Sequence, residues 1–413
     1  MSPGAITSLS ATQIKSLNGT QIAGLSANQF RAISAAGVAG LQSTQMDAQS
    51  EAQIGCLSPE QIKALTITTL GELEPNQFAA LAPGQISFLA PAQIKGLSAD
   101  QIAALGTTQL QGLTAVQLSV LTTTQLTALN PAQISALSIA QLKGFTAAEV
   151  ASLSMSQLIT LSSTQVAALT PAQIRGLSST QLSSLTSSQL SAMGPSQLGT
   201  LTVSQLTALS TSQIAMLSVA QVRGLNAAQI AGLTPDQFQT LSSTQIGNLS
   251  VTQIKALTTT EAAMLSTTQI AALTNAQIGI MTPAQVKVLS ADQLAAIAPA
   301  KARNFTPMQI AAMSGTQIQA LSTDQITAMA AAIVKGLSAT SASLLTQDQL
   351  TALNAQFGSM TAAQIRNLTT GQLGGLTPDQ VSSLTGPQLL ALTQTQLASL
   401  NATLVAQLTP AQV

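Results

Sequence analysis

The sequence predicts an all-α solenoid: very short capped helices, one per octapeptide, stacked side by side. Three observations predict it. An eight-residue phrase repeats from end to end, as in LNPAQISALSIAQLKGF at 129–145. The phrase carries helix-start residues at fixed positions. Helices this short are marginal alone and persist only by packing on neighbours, which is the logic of a solenoid.

Counted from Met1, the octads keep register through residue 352. A seven-residue unit follows (LNAQFGS, 353–359), then octads over 360–407 and a partial unit, LTPAQV, at 408–413. The expectation is one continuous array of 52 units over 1–413 with no second domain. Units are numbered in chain order and their positions 1 to 8; octad 22 is LTPAQIRG, 169–176.

Each position has a helix-start reason. Position 2 is Ser, Thr or Asn in 44 of 52 units and position 5 is Gln in 42, which makes the phrase a capping box. In that device the position-2 side chain accepts from the N–H three residues on, and Gln reaches back. The large apolar residues at positions 1 and 6, Leu and Ile above all, flank it as a hydrophobic staple. Fourteen of fifteen prolines stand at position 3, including Pro59, Pro131, Pro171 and Pro283. There the missing N–H costs nothing. Seven of thirteen acids, such as Glu60, Asp100 and Asp236, stand at position 4 near the positive helix end. Glycine recurs at position 8 (Gly96, Gly144, Gly176), where a helix is expected to stop. A parallel β-helix would suit Thr and Ile but leaves the caps, the prolines and the alanine content without a reason.

A second period lies under the first. Twelve of thirteen basic residues occupy position 7 of even octads: Lys15, Arg31, Lys63, Lys95, Lys143, Arg175, Arg223, Lys255, Lys287, Arg303, Lys335 and Arg366. Position 7 of the odd octads, through unit 43, is only Gly, Ala, Ser or Thr. Position 8 is mostly small in even octads, whereas odd octads carry Phe88, Val120, Met216, Met264 and Ile280. Small residues let backbones approach, and long cations need an exit to water. The expectation is a layer of two octads, 16 residues, in which one helix turns position 7 outward and the other turns it into a contact. The alternative is a trace of 16-residue duplication.

Composition narrows the chemistry. The chain has no His, Trp or Tyr, one Cys, 6% charged residues and zero net charge. Dense positive charge, the requirement of a nucleic-acid surface, is missing. A structural zinc site of the usual kind is excluded, no catalytic constellation is visible, and no cofactor is implied. No run reaches the roughly 18 apolar residues of a membrane helix. The start, MSPGAITSLS, has no signal-peptide pattern.

Single residues read structurally. The Gln column either bonds from layer to layer as a ladder or closes each capping box alone; the box is the simpler reading. Glu149 and Glu261 replace Gln in the box, and Cys56 reads as a small apolar residue at position 8. The irregular stretch 329–359 loses Gln at Ile333 and Ser341 and reads as drift, with a kink or binding notch as the alternative. The basic row reads as a solvated edge, with an anionic glycan or lipid surface as the alternative partner.

Phrases such as LTPAQI, LSTTQIAAL and LTTTQLTAL resemble the octapeptide arrays, L-[ST]-x-x-Q-[IL]-x-[AG], of very long bacterial secreted or cell-surface proteins of adhesion type. That resemblance covers the whole chain and implies an extracellular or cell-surface structural role. LTPAQV also resembles the repeat opening of transcription-activator-like effectors. Their repeat is about twice the 16-residue layer and sits on a basic scaffold with a base-reading pair, so the DNA-binding reading is rejected. The expected function is therefore a rod or filament acting as spacer, sheath or adhesive fibre, associating with copies of itself. A binding module for a periodic ligand such as polysaccharide is the alternative. Ice binding is weaker, because most hydroxyls are committed to caps. An enzyme is not expected.

Overall fold

The computed structural model describes residues 1–328, 334–408 and 412. Its helices are four to six residues long and, among the described residues, no strand occurs. Octad 22 shows the local construction. Thr170 is extended (φ −69°, ψ 154°) and its hydroxyl accepts from the Gln173 N–H at 3.2 Å. Gln173 returns the bond, its Oε1 accepting from the Thr170 N–H at 2.7 Å. Pro171 opens the helix Pro171–Gly176, and Leu177, extended at ψ 141°, turns the chain into the next octad. Four to six helical residues, in many octads a C-cap residue of helical dihedrals, and two extended residues at positions 1 and 2 thus make the octad.

Positions 1 and 6 form the core. Ile174 and Leu177 are at most 2% exposed, and the same two columns are buried through the interior of the array. At roughly 1.5–3 kcal/mol per buried aliphatic side chain, this apolar seam supplies what each short helix lacks on its own.

Contacts divide the chain into two compact units, Met1–Leu209 and Ser210–Val413. Inside each unit a helix packs against the helix three octads away, as octad 19 does on 22 and octad 36 on 39. Glutamine shows where the fourth lies. In the first unit Gln125 Nε2 donates to the carbonyls of Leu97 (2.8 Å) and Ile94 (3.0 Å), which belong to octads 13 and 12. In the second unit Gln309 does the same to Met281 (2.6 Å) and Ile278 (2.9 Å). One coil therefore holds between three and four octads, about 28 residues.

This corrects the two-octad layer. The 16-residue period is present, but it does not count the helices in a coil. Three is an odd step, so helices packed at that step pair an odd octad with an even one, whereas the glutamine bonds four octads back join octads of like parity. Parity in the sequence records two alternating kinds of contact.

The helices do stop at the position-8 glycines: Gly96 is a C-cap and Gly144 and Gly176 are last helical residues. No described glycine has positive φ, so the stop is not a left-handed one. In even octads these glycines also give room. A Cβ on Gly144 would lie 2.8 Å from Ala115 Cβ and 2.9 Å from its carbonyl oxygen, position 3 of the octad three before.

The seven-residue unit forms a 3₁₀ helix, Asn354–Ser359. Bonds that cross it shorten by one residue: Gln364 reaches Leu337, 27 back at 2.6 Å, while Gln388 again reaches Met360, 28 back at 2.6 Å. The coil register absorbs the deletion through the tighter turn. Ile333 and most of the final partial unit lie outside the described residues.

Candidate functional site

The most repeated chemical feature is the glutamine column, and it is an inter-coil clamp. Oε1 closes the capping box of its own octad. Nε2 reaches one coil back, to the position-1 carbonyl 28 residues earlier and in most octads also to one or both of the carbonyls 30 and 31 residues earlier; Gln269 makes the first bond alone. Gln317 makes all three, to Leu289 (2.8 Å), Lys287 (3.1 Å) and Val286 (2.9 Å). Those carbonyls lie at and just beyond a helix end, where the intrahelical ladder runs out; that of Val286 also accepts from the Leu289 N–H at 3.2 Å. One side chain thus satisfies the start of its own helix and the end of another. The two sequence readings, box and ladder, hold together, except that the ladder runs from amide to backbone rather than amide to amide. A signal for it was present. A capping box accepts Glu as well as Gln, yet Gln outnumbers Glu at position 5 by 42 to 2. Only the amide can also donate.

Position 7 shows the alternation of contacts. In several odd octads it meets the position-8 backbone three octads on: a Cβ on Gly247 would stand 2.8 Å from the Ala272 carbonyl oxygen, and one on Gly55 3.0 Å from that of Ala80, whereas one on Gly71 of octad 9 would meet nothing within 4 Å. In even octads the same place takes long side chains. Lys63 Nζ lies 5.3 Å from the ring centre of Phe88, a cation–π contact. Gln111 and Gln319 donate to the carbonyls of Ala136 (3.0 Å) and Leu344 (2.9 Å). Large position-8 residues in odd octads line this wider contact.

All twelve position-7 cations are exposed. Because octads four apart are joined by glutamine, the fold brings several onto successive coils. Gln61, two residues before Lys63, bonds the Arg31 carbonyl at 3.1 Å, and Gln93, two before Lys95, bonds that of Ile62. Arg31, Lys63 and Lys95 form one run. Arg223, Lys255 and Lys287 form another, through Gln253 and Gln285. Lys143 pairs with Arg175 through Gln173, and Lys335 with Arg366 through Gln364. Lys15 falls outside these runs; Arg303 stands four octads before Lys335, where Ile333 replaces the linking glutamine.

The half-buried Cys56 thiol donates to the carbonyls of Ala27 (2.9 Å) and Gln53 (3.1 Å). Burial pushes its pKa up, against smaller opposing effects of hydrogen bonding and Arg31, so it is not an activated thiolate. Among the described residues no cluster of three or more His, Cys, Asp or Glu is suited to a metal ion. A surface hollow of about 570 Å³ is lined by residues that include Gln49, Glu51, Glu74 and Asn76. Gln49 stands in the leucine column, 3% exposed, and its Oε1 has no partner. No described helix is long and apolar enough to cross a membrane.

Comparison with known proteins agrees with a repeat array. The model of the ALTTAQ repeat matches residues 78–115, 102–139, 163–195, 208–243 and 354–386. The first two matches are offset by 24 residues, three octads, which is the step between packed helices. No functionally curated protein matches in sequence. Among solved structures, APUM23-GGAAUUGACGG aligns at 10% identity and TM-score 0.20, over 96% of this chain and 81% of that one. Importin beta in an ammonium sulfate condition aligns at 12% identity and TM-score 0.17, over 96% of this chain and 58% of that one. Scores this low carry no argument; the helical solenoid rests on the geometry above, and the chain is similar to ALTTAQ repeats over about two fifths of its length.

Proposed function

We propose that the protein is a structural repeat array, not an enzyme, working outside the cell or on its surface as a spacer, sheath or adhesive fibre. The observation that supports this most is the polarity of the coil contact. Each coil sends glutamine amides to the coil before it and offers helix-end carbonyls to the coil after it. Such a head-to-tail contact does not close on itself, and heterologous contacts of that kind build open assemblies. Coils of a second copy meet the same chemistry as coils of the first, which favours self-association. The extracellular setting rests on the resemblance to secreted octapeptide arrays. Sedimentation and negative-stain microscopy over a range of concentration test the proposal. Fibres that lengthen with concentration support it; a single monomeric species throughout removes self-association.

The second reading is a binding module for a periodic anionic ligand such as a surface polysaccharide. It is favoured by the runs of exposed cations on successive coils. Its test is retention on an immobilised anionic polysaccharide. Replacing Arg223, Lys255 and Lys287 together by Gln is expected to abolish a salt-sensitive retention, and unchanged retention excludes this run as the site.

A further inference from the structure

Octad 33, LTTTEAAM, carries Glu261 where the clamp has glutamine. The accepting half of the clamp is intact: Glu261 Oε2 accepts from the Thr258 N–H at 2.7 Å and its hydroxyl at 2.9 Å. The residue is 5% exposed, and the other oxygen, Oε1, is sealed from solvent with no hydrogen-bond partner. In the octads on either side the corresponding atom is an amide nitrogen. Gln253 Nε2 donates to the Leu225 carbonyl and Gln269 Nε2 to that of Leu241, both 28 residues back at 2.7 Å. The same register sets Glu261 Oε1 toward the Leu233 carbonyl. Two oxygens so placed are both acceptors, and a buried acceptor without a donor is costly. A proton between them turns the clash into a hydrogen bond.

We propose that Glu261 is a protonation-dependent latch between coils: as the neutral acid it donates from Oε1 to the Leu233 carbonyl, and on ionisation this bond is lost and the contact between octads 33 and 29–30 loosens. The proton exchanges with solvent, and no other group changes state. The ionisable side chains on the neighbouring octads are Asp236 on octad 30, Lys255 on octad 32, Lys287 on octad 36 and Asp292 on octad 37, whose Gln293 bonds the Ala262 and Ala263 carbonyls; all are exposed, and octads 29 and 34 carry none. Burial pushes the Glu261 carboxyl above its ordinary value, opposed by the two Thr258 hydrogen bonds, and no charged neighbour contributes. With the folded value raised, the latch's stabilisation is fully present below the unfolded value of about 4.3. It is lost as pH rises through the folded value.

The test compares the full chain with Glu261→Gln, which restores the consensus residue and so preserves the fold. Amide hydrogen exchange of octads 29, 30 and 33 is read for both proteins at each pH. At pH 8 the variant is expected to exchange at least about tenfold more slowly, and at pH 4 the two are expected to coincide. Carbon-13 carboxyl NMR of Glu261 is the second measurement and is expected to show protonation persisting above the range of ordinary glutamates. Equal exchange ratios at both pH values, or a carboxyl that titrates in the ordinary range, overturn the latch. Neither result bears on self-association, which is read from assembly size.

Discussion

Glutamine at position 5 acts through two atoms of opposite character, and the exceptions separate its two tasks. Glu261 keeps the accepting half and loses the amide donor. Thr69 closes the box, accepting from the Thr66 N–H at 3.0 Å, and is too short to reach another coil. Lys301 does the reverse: Nζ donates to the Ala271 carbonyl, 30 residues back at 2.6 Å, while Ala298 at the helix start has no side-chain cap. Where position 2 lacks a hydroxyl, as at Ala90 and Gly106, Gln still accepts from that residue's N–H, at 2.6 and 2.7 Å. Lys301→Gln should therefore add the missing half, the bond from the Ala298 N–H, without surrendering the bond to Ala271. A gain of about 0.5–1.5 kcal/mol is expected from one added hydrogen bond, measured by urea unfolding.

Between elements, the size of position 7 decides how closely two helices approach. Ala231 and Gln239 stand at position 7 of octads 29 and 30; the first is half-buried and the second exposed. Ala231→Lys is expected to overpack the tight odd-on-even contact and cost about 1–3 kcal/mol. Gln239→Lys should stay within about 0.5 kcal/mol, as ordinary surface changes do. Similar thermal shifts for the two would reduce parity to a trace of duplication. Glycines offer a second check on the same contact. Gly144→Ala forces Cβ against the backbone of Ala115, whereas a Cβ on Gly71 meets nothing within 4 Å. Thermal unfolding should show Gly144→Ala destabilised by about 1–3 kcal/mol and Gly71→Ala stabilised by about 0.4–1 kcal/mol.

At the scale of the whole array, stability is spread over many neighbour contacts, and deletions become a test of which period the contacts obey. Removing octads 13 and 14 (97–112) keeps odd packed on even downstream, and the melting temperature should move little. Removing octad 13 alone (97–104) sets like parity on like across the gap, octad 10 on 14, 11 on 15 and 12 on 16, so that Lys95 is set against the small position-8 Ala128. That shorter deletion is expected to be the more damaging. If the single-octad deletion is the better tolerated, the alternating contacts do not govern packing. The seven-residue unit shows the opposite case, since losing one residue inside a unit changes no parity and the glutamine bonds resume beyond it.

The helices, their starts, the two core columns and the alternation of position 7 were legible in the sequence because each depends on residues within one octad or on a strict period. Thr170, Pro171 and Gln173, for example, state a helix start by their spacing alone. The number of octads in a coil was not legible, because it depends on the angle each corner turns. Extended pairs such as Leu177–Ser178 specify a corner without its angle. The second task of glutamine was hidden for the same reason: carbonyls 28 to 31 residues away become neighbours only once that angle is set. So too for glycine at position 8, where spacing showed the helix stop and the packing of Gly144 on position 3 of another coil was added by the fold. The runs of cations on successive coils likewise exist only in three dimensions. Local hydrogen-bond chemistry repeats with the sequence and can be read from it, whereas the closure of a coil sums many small backbone rotations, and only the tertiary structure decided that sum.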